Sequence, residues 1–80
     1  MGSHNPQDFD EARRDVGLSQ DQLWMRYFAL GGYAMPAEFE AYVVGALAPT
    51  RPDHDMLVQA LNERSMELGS DRRWRYSNEP

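Results

Sequence analysis

Residues 19–32 read SQDQLWMRYFALGG, and this stretch decides the fold. Ser19 and Gln22 have the spacing of a capping box, in which the two residues satisfy each other's free backbone N–H groups at a helix start. Gly31-Gly32 then ends the segment, because a residue without Cβ adopts the left-handed conformation that closes a last helical turn. The pattern predicts a helix over residues 20–30.

The predicted helix is apolar over a wide arc. Its apolar side chains cover about 160° of a helical wheel, more than the roughly 100° of a helix with one face on the core. They are Leu23, Trp24, Tyr27, Phe28 and Leu30. We expect most of this arc, with the nearby aromatic residues Tyr33, Phe39 and Tyr42, to lie in the core. An exposed remainder, extended by Met25, would form a docking surface for a partner helix or a second copy of the chain.

A first helix is predicted ahead of this segment, over residues 5–16. Asn5 is a good N-cap, and Pro6 fits the first helical position, where its missing N–H costs nothing. Gly17 supplies the end of the helix. We expect this helix to lie on the surface and to pack across the others.

A third helix is predicted over residues 36–47. Pro36 fits its first turn, and Glu38 lies near the positive end of its dipole. Gly45 falls inside this span, where a glycine costs about 1 kcal/mol relative to alanine. We expect close approach of another helix to be the reason for this glycine.

The fourth helix is predicted over residues 53–68. A proline-rich break over residues 48–52 precedes it, and Asp53 and Asp55 favour a helix start. Because short connections favour antiparallel neighbours, the four segments predict an all-α fold. We expect a compact bundle of four short helices with an irregular C-terminal tail.

The composition is that of one ordinary globular domain. The chain has 80 residues, of which 41% are hydrophobic, and no apolar run reaches the roughly 18 residues of a membrane span. Cysteine is absent, which excludes disulfides and thiolate chemistry and fits a cytoplasmic location. We interpret residues 1–4 as the remnant of an expression tag, residues 5–70 as a single helical domain and residues 71–80 as a tail.

The C-terminal tail is the one basic segment of an acidic chain. A net charge of −5 argues against duplex DNA as a partner of the whole chain. In the tail, arginines alternate with aromatic residues: Arg72, Arg73, Trp74, Arg75 and Tyr76. This pattern is typical of segments that bind single-stranded nucleic acid, acidic proteins or anionic membrane surfaces. The alternative is that Trp74 and Tyr76 fold back onto the bundle as a latch.

The sequence offers no set of residues that supports catalysis or cofactor binding. Asp53-His54-Asp55 has ligand-type side chains, but consecutive helical positions point about 100° apart and do not easily converge on one metal ion. Glu63 and Glu67 are interpreted as an exposed acidic face. We therefore predict no enzymatic activity, no cofactor, no metal and no small-molecule substrate. Only a pocket that joins Arg26, Glu63 and Arg64 would change this prediction.

Three segments resemble small stand-alone helical proteins that are common in actinobacteria. They read WMRYFALGG at residues 24–32, PAEFEAY at residues 36–42 and LNER at residues 61–64, and the likeness covers residues 19–69. The resemblance implies a cytosolic bacterial protein with a regulatory role. It implies nothing about catalysis.

The chain is also similar in size and helical layout to the small antitoxins that inhibit Fic-type AMP-transferases. Those proteins use an S/T-x-x-x-E motif to obstruct the nucleotide site. Here the residues four positions after Ser19, Thr50, Ser65 and Ser70 are Leu23, His54, Gly69 and Trp74. The inhibitory glutamate therefore has no counterpart in this chain.

These observations favour a non-enzymatic protein–protein interaction module with a regulatory role. Its partner would be another protein or a second copy of the chain. The residues predicted to bind the partner are Trp24, Met25, Phe28, Arg72, Arg73, Trp74, Arg75 and Tyr76. One alternative is a nucleic-acid-linked regulator with a helix-turn-helix-like core and a basic tail. A further alternative is an antitoxin-like inhibitor of a larger enzyme.

Overall fold

A computed structural model describes residues 8–78, and within this range the chain forms four helices and no strand. The helices are α1 (Phe9–Asp15), α2 (Gln20–Ala29), α3 (Pro36–Val43) and α4 (Arg51–Glu67). They pack into a small bundle, which confirms the predicted all-α fold. Among the described helices, none is both long and apolar enough to cross a membrane. The predicted tag remnant, residues 1–4, lies outside the described range.

The first helix begins later than predicted. Asp8 is its N-cap and accepts a hydrogen bond from the backbone N–H of Glu11 at 3.0 Å. The start was predicted at Asn5 because asparagine is a good N-cap. Aspartate caps a helix equally well, and α1 is capped by Asp8. Asn5 itself lies outside the described residues.

The start of α2 is confirmed in detail. The Gln22 side chain accepts from the backbone N–H of Ser19 at 2.8 Å, and the Ser19 hydroxyl accepts from the backbone N–H of Gln22 at 3.1 Å. Both halves of the capping box are therefore present. The helix then runs for 10 residues, to Ala29.

The third helix is shorter than predicted because Gly45 ends it. Gly45 has a φ of +82°, and the backbone N–H of Ala46 bonds to the carbonyl of Ala41 at 2.9 Å, as in a Schellman motif. A Cβ at Gly45 would meet no atom within 4 Å, so close packing is not the reason for this glycine. The prediction that α3 extends to residue 47 was wrong, and Leu47 is exposed.

The fourth helix begins two residues before its predicted start. Thr50 is the N-cap, and its hydroxyl accepts from the backbone N–H of Asp53 at 3.2 Å. Pro52 therefore lies in the first turn of α4, where a proline removes no helical hydrogen bond. The prediction that Pro52 belongs to a break before the helix was wrong. This start places Asp53 at the third helical position, with its carboxylate beside α2 and α3.

All four helices contribute side chains to the core, α1 through Phe9 and Ala12, and α2 contacts each of the other three helices. The largest fully buried side chains of the core are Leu23, Tyr27, Phe39, Val43, Leu57, Val58, Leu61 and Ser65. As expected, most of the aromatic residues predicted for the core lie in or against it: Tyr27, Phe39 and Tyr42 are buried and Trp24 is partly buried, whereas Phe28 and Tyr33 are exposed. Leu23 and Tyr27 lie on the fully buried side of α2, and a rigid helix cannot bury the whole of so wide an arc.

Gly32 lies against the ring of Tyr27. A Cβ at this position would collide with the far edge of that ring. The ring cannot move aside, since it is fully buried and its hydroxyl is held by Asp53 and by the backbone N–H of Ala34. Glycine is therefore required here for close approach and not for backbone conformation.

We predict that Gly32→Ala lowers the free energy of unfolding by about 2–3 kcal/mol, the typical cost of forcing atoms into a packed core. Gly45→Ala is the matched control, because it introduces only the strain of a positive φ, roughly 1 kcal/mol. Urea unfolding followed by far-UV circular dichroism measures both variants. Equal losses for the two variants would contradict the steric role of Gly32.

Candidate functional site

The side of α2 that turns away from the core carries exposed apolar side chains. Met25 is 61% exposed and Phe28 is 56% exposed, while Trp24 is half-buried beside them. The rings of Trp24 and Phe28 are stacked, with centroids 5.1 Å apart and an interplanar angle of 21°. The structure thus brings together the three residues of α2 that the sequence predicts to bind a partner.

This apolar surface continues into the segment that follows α2. The indole N–H of Trp24 donates to the carbonyl of Ala34 at 3.0 Å, which fixes the segment against the ring. The two neighbours of Ala34, Tyr33 and Met35, are 90% and 69% exposed. We call the surface formed by Trp24, Met25, Phe28, Tyr33 and Met35 the aromatic face.

The C-terminal tail lies along α4 through hydrogen bonds to its backbone. The Asn62 side chain donates to the carbonyl of Trp74 at 3.2 Å and accepts from the backbone N–H of the same residue at 2.7 Å. The Ser65 hydroxyl donates to the carbonyl of Arg72 at 2.8 Å. Near the start of α4, Asp55 accepts from the backbone N–H of Ser77 at 2.7 Å and from its hydroxyl at 3.0 Å. The tail therefore has the position expected of a latch.

The side chains of the tail strengthen this attachment. Trp74 is buried, and the guanidinium of Arg72 lies over its ring, 4.9 Å from the centroid. Arg72 also forms an ion pair with Asp15 of α1 at 3.0 Å. Arg73 donates to the carbonyl of Ser70 at 2.9 Å, so it too is engaged within the tail. The predicted binding residue Trp74 is thus covered in this conformation.

The remaining predicted residues of the tail, Arg75 and Tyr76, are not buried. Arg75 is exposed, and Tyr76 is half-buried against the core. Tyr76 and Ser77 also line an open groove that the tail forms with the first turn of α4, at Arg51 and Asp55. The hydrogen bond from the backbone N–H of Ser77 holds the pKa of Asp55 below its ordinary value, although that carboxyl is partly buried. Two of the residues that line the groove, Asp55 and Ser77, are therefore hydrogen-bonded to each other.

Asp53 joins the buried ends of two tyrosines. Its carboxylate accepts from the hydroxyl of Tyr27 at 2.8 Å and from the hydroxyl of Tyr42 at 3.0 Å. Burial, reinforced by this carboxylate, raises the pKa of Tyr42 to about 12. Burial also raises the pKa of Tyr27. The two hydroxyls lie within hydrogen-bond distance of the carboxylate, and by binding it they connect α2, α3 and α4.

The two carboxylates of the Asp53-His54-Asp55 segment bind different groups: Asp53 accepts from the two tyrosines, and Asp55 accepts from Ser77. His54 contacts Asp55 at 3.2 Å, and its ring lies edge-on to Phe9 with centroids 5.5 Å apart. Within residues 8–78, no three His, Asp or Glu residues are grouped so as to hold a metal ion.

Arg26, Arg64 and Glu67 form an ion-pair network between α2 and α4. Arg26 binds Glu67 through two hydrogen bonds of 2.9 Å, which raise the pKa of Arg26 and lower that of Glu67. Arg64 donates to the carbonyl of Val16 at 3.0 Å. An open depression lies beside Arg26 and Arg64, but Glu63 does not line it and instead accepts from Gln59 at 3.0 Å. Glu67 is exposed, as expected of an acidic face, but its carboxylate is paired with Arg26 and Arg64, and Glu63 is half-buried.

Sequence reasoning did not identify the polar residues that hold the tail, Asn62 and Ser65. Both are buried on the same helix as Leu57 and Leu61. A polar residue on the buried face of a helix needs a hydrogen-bond partner, and that requirement was the available indication of a nearby backbone segment. Comparisons with protein-family models, with curated proteins and with solved structures gave no match to this chain.

We predict that Asn62→Ala releases the tail from α4. The substitution leaves the backbone N–H and carbonyl of Trp74 without partners, which costs about 1–3 kcal/mol for a buried group. Hydrogen exchange at the Trp74 amide should therefore become much faster. Gln59→Ala, on the exposed side of the same helix, is the control and should leave that exchange unchanged. Unaltered protection of Trp74 in the Asn62 variant would contradict the assigned role.

We predict that the protein loses stability in alkali as the pH rises from 10 towards 12. The pKa of Tyr42 is higher in the folded chain than the ordinary value of 10. Its contribution is therefore complete below pH 10 and is lost as the pH approaches 12. Urea unfolding over this range measures the effect. The Tyr27→Phe/Tyr42→Phe variant should be less stable at neutral pH but should lose less on going to pH 12; an equally steep loss would assign the effect to other groups.

Proposed function

We propose that this chain is a non-enzymatic interaction module that binds another protein through the aromatic face. The observation that carries the proposal is the joint exposure of Met25, Phe28, Tyr33 and Met35 around the partly buried Trp24. Large contiguous apolar patches are uncommon on monomeric proteins and mark sites of association. Aromatic residues and methionine are also the side chains enriched at the centres of interfaces.

The conformation of the aromatic face supports the same proposal. The indole N–H of Trp24 is bonded to the carbonyl of Ala34, and the ring of Trp24 is stacked on that of Phe28. A surface that is already ordered loses little conformational entropy when a partner binds. The tail is left out of the proposed interface, since Trp74 is buried and Arg72 and Arg73 contact groups of the chain itself.

A regulatory role in the cytoplasm remains a proposal that rests on the sequence. The chain contains no cysteine, which suits a reducing compartment. Within the described residues, nothing favours the nucleic-acid or antitoxin-like alternatives over protein binding. The exposed side of α3, the counterpart of a recognition helix, carries Glu38 and Glu40, which would repel phosphate.

Photo-crosslinking in cells of the encoding organism tests the proposed interface. A benzophenone amino acid at position 25 should give one dominant covalent adduct, because this side chain lies within the aromatic face. The same amino acid at position 11, an exposed position of α1, is the control and should not give that adduct. Absence of an adduct at position 25, or the same adducts from both positions, would overturn the proposal.

A further inference from the structure

The surroundings of the aromatic face are acidic. Residues 19–50, which include α2 and α3, contain the acids Asp21, Glu38 and Glu40 and the single basic residue Arg26, a net charge of −2. All three acids are exposed. The guanidinium of Arg26 is held by two hydrogen bonds to Glu67 of α4, so its charge is largely compensated within the chain.

The acids lie at both ends of the aromatic face. Asp21 precedes Met25 by one helical turn on α2, and residues four apart on a helix are neighbours on its surface. Glu38 lies in the first turn of α3, three residues after Met35. The apolar surface is therefore bordered by negative charge where α2 begins and where α3 begins.

The other arginines of the described range belong to α1, α4 and the tail. They are Arg13, Arg14, Arg51, Arg64, Arg72, Arg73 and Arg75. Of these, Arg64 lies beside Met25, where its guanidinium donates to a backbone carbonyl and approaches Glu67. Among the described residues, neither Asp21 nor Glu38 takes part in an ion pair, so the uncompensated charge at the border of the aromatic face is negative. A partner of complementary charge must therefore carry basic groups around its apolar contacts.

The face also favours a helix over an extended segment. On α4, the tail is held by Asn62, Ser65 and Asp55, whose polar side chains bind its backbone. The aromatic face consists mainly of apolar side chains and has no comparable set of polar side chains that bind a backbone. The backbone N–H and C=O groups of a bound extended segment would therefore lack partners on this face. A helix satisfies its own backbone hydrogen bonds and presents only side chains to an apolar surface.

We infer that the partner of the aromatic face is an amphipathic helix with basic residues along the borders of its apolar stripe. A second copy of this chain fits less well, because a two-fold interface would bring the acidic borders of both copies together. This inference rests on the proposed function and adds the chemical class of the partner to it.

The test measures binding of two fluorescein-labelled model peptides by fluorescence anisotropy. One consists of two Leu-Lys-Lys-Leu-Leu-Lys-Leu heptads, and the other has glutamate in place of every lysine. The lysine peptide should bind the full chain at least about tenfold more tightly than the glutamate peptide. Its affinity should also fall as salt is raised, since the contacts at the border are exposed to solvent.

Two sets of variants locate the binding of the lysine peptide. Met25→Ser and Phe28→Ser should each weaken it by tenfold or more through the loss of apolar contact, roughly the 1.4 kcal/mol that corresponds to one decade. Asp21→Asn/Glu38→Gln should weaken it severalfold and flatten its salt dependence. Asp71→Asn, which removes a charge from the tail, is the matched control and should have no comparable effect. Circular dichroism verifies that every variant is folded.

Three results would overturn the inference. Equal binding of the two peptides, or lysine-peptide binding that is insensitive to Phe28→Ser, would show that the face does not select a basic helix. Concentration-dependent dimerisation that Phe28→Ser abolishes would identify a second copy as the occupant. Each of these results is compatible with a crosslinked partner at position 25, whereas loss of that adduct overturns the proposed function itself.

Discussion

The hydrogen bonds between Asp53 and two buried tyrosines are the constraint on which the rest of the structure depends. One carboxylate oxygen accepts from Tyr27 of α2 and the other from Tyr42 of α3, while Asp53 itself lies in the first turn of α4. The backbone N–H of Ala34 adds the connection between α2 and α3 to the same cluster. A buried hydroxyl without a partner costs about 1–3 kcal/mol, so each helix must keep the register that brings its group to this point.

The register of α2 in turn determines which of its apolar residues are exposed. Successive residues on a helix point about 100° apart, so a helix that directs Tyr27 towards Asp53 directs Phe28 away from it. Trp24, one turn before Phe28, stacks on that ring and reaches Ala34 with its indole N–H. The aromatic face is therefore a fixed consequence of the buried cluster, and its exposure does not reflect loose packing.

A local interaction could be predicted from the sequence where its residue pattern is compatible with one conformation only. The capping box at Ser19 could be identified because both of its hydrogen bonds lie within four residues of each other. Gly45 was misassigned because a glycine within a periodic apolar segment fits either close packing or a helix end, and only the observed φ of +82° decides between them. The contacts of the tail were not predictable, since Asn62 binds the backbone of Trp74, and a backbone group has no signature in the sequence.

Apolar surface of α4 is covered by the tail, whereas the aromatic face is largely exposed. The chain uses its own tail to cover α4, where buried Trp74 contributes apolar area that a domain of this size needs. On the aromatic face, Phe28 stays 56% exposed, although covering the exposed half of such a side chain would contribute roughly 1 kcal/mol. Burial of the exposed surface of Phe28 and Met25 is therefore available to a binding partner. Because a partner that binds only the folded chain shifts the folding equilibrium, its binding would raise the stability of the folded chain.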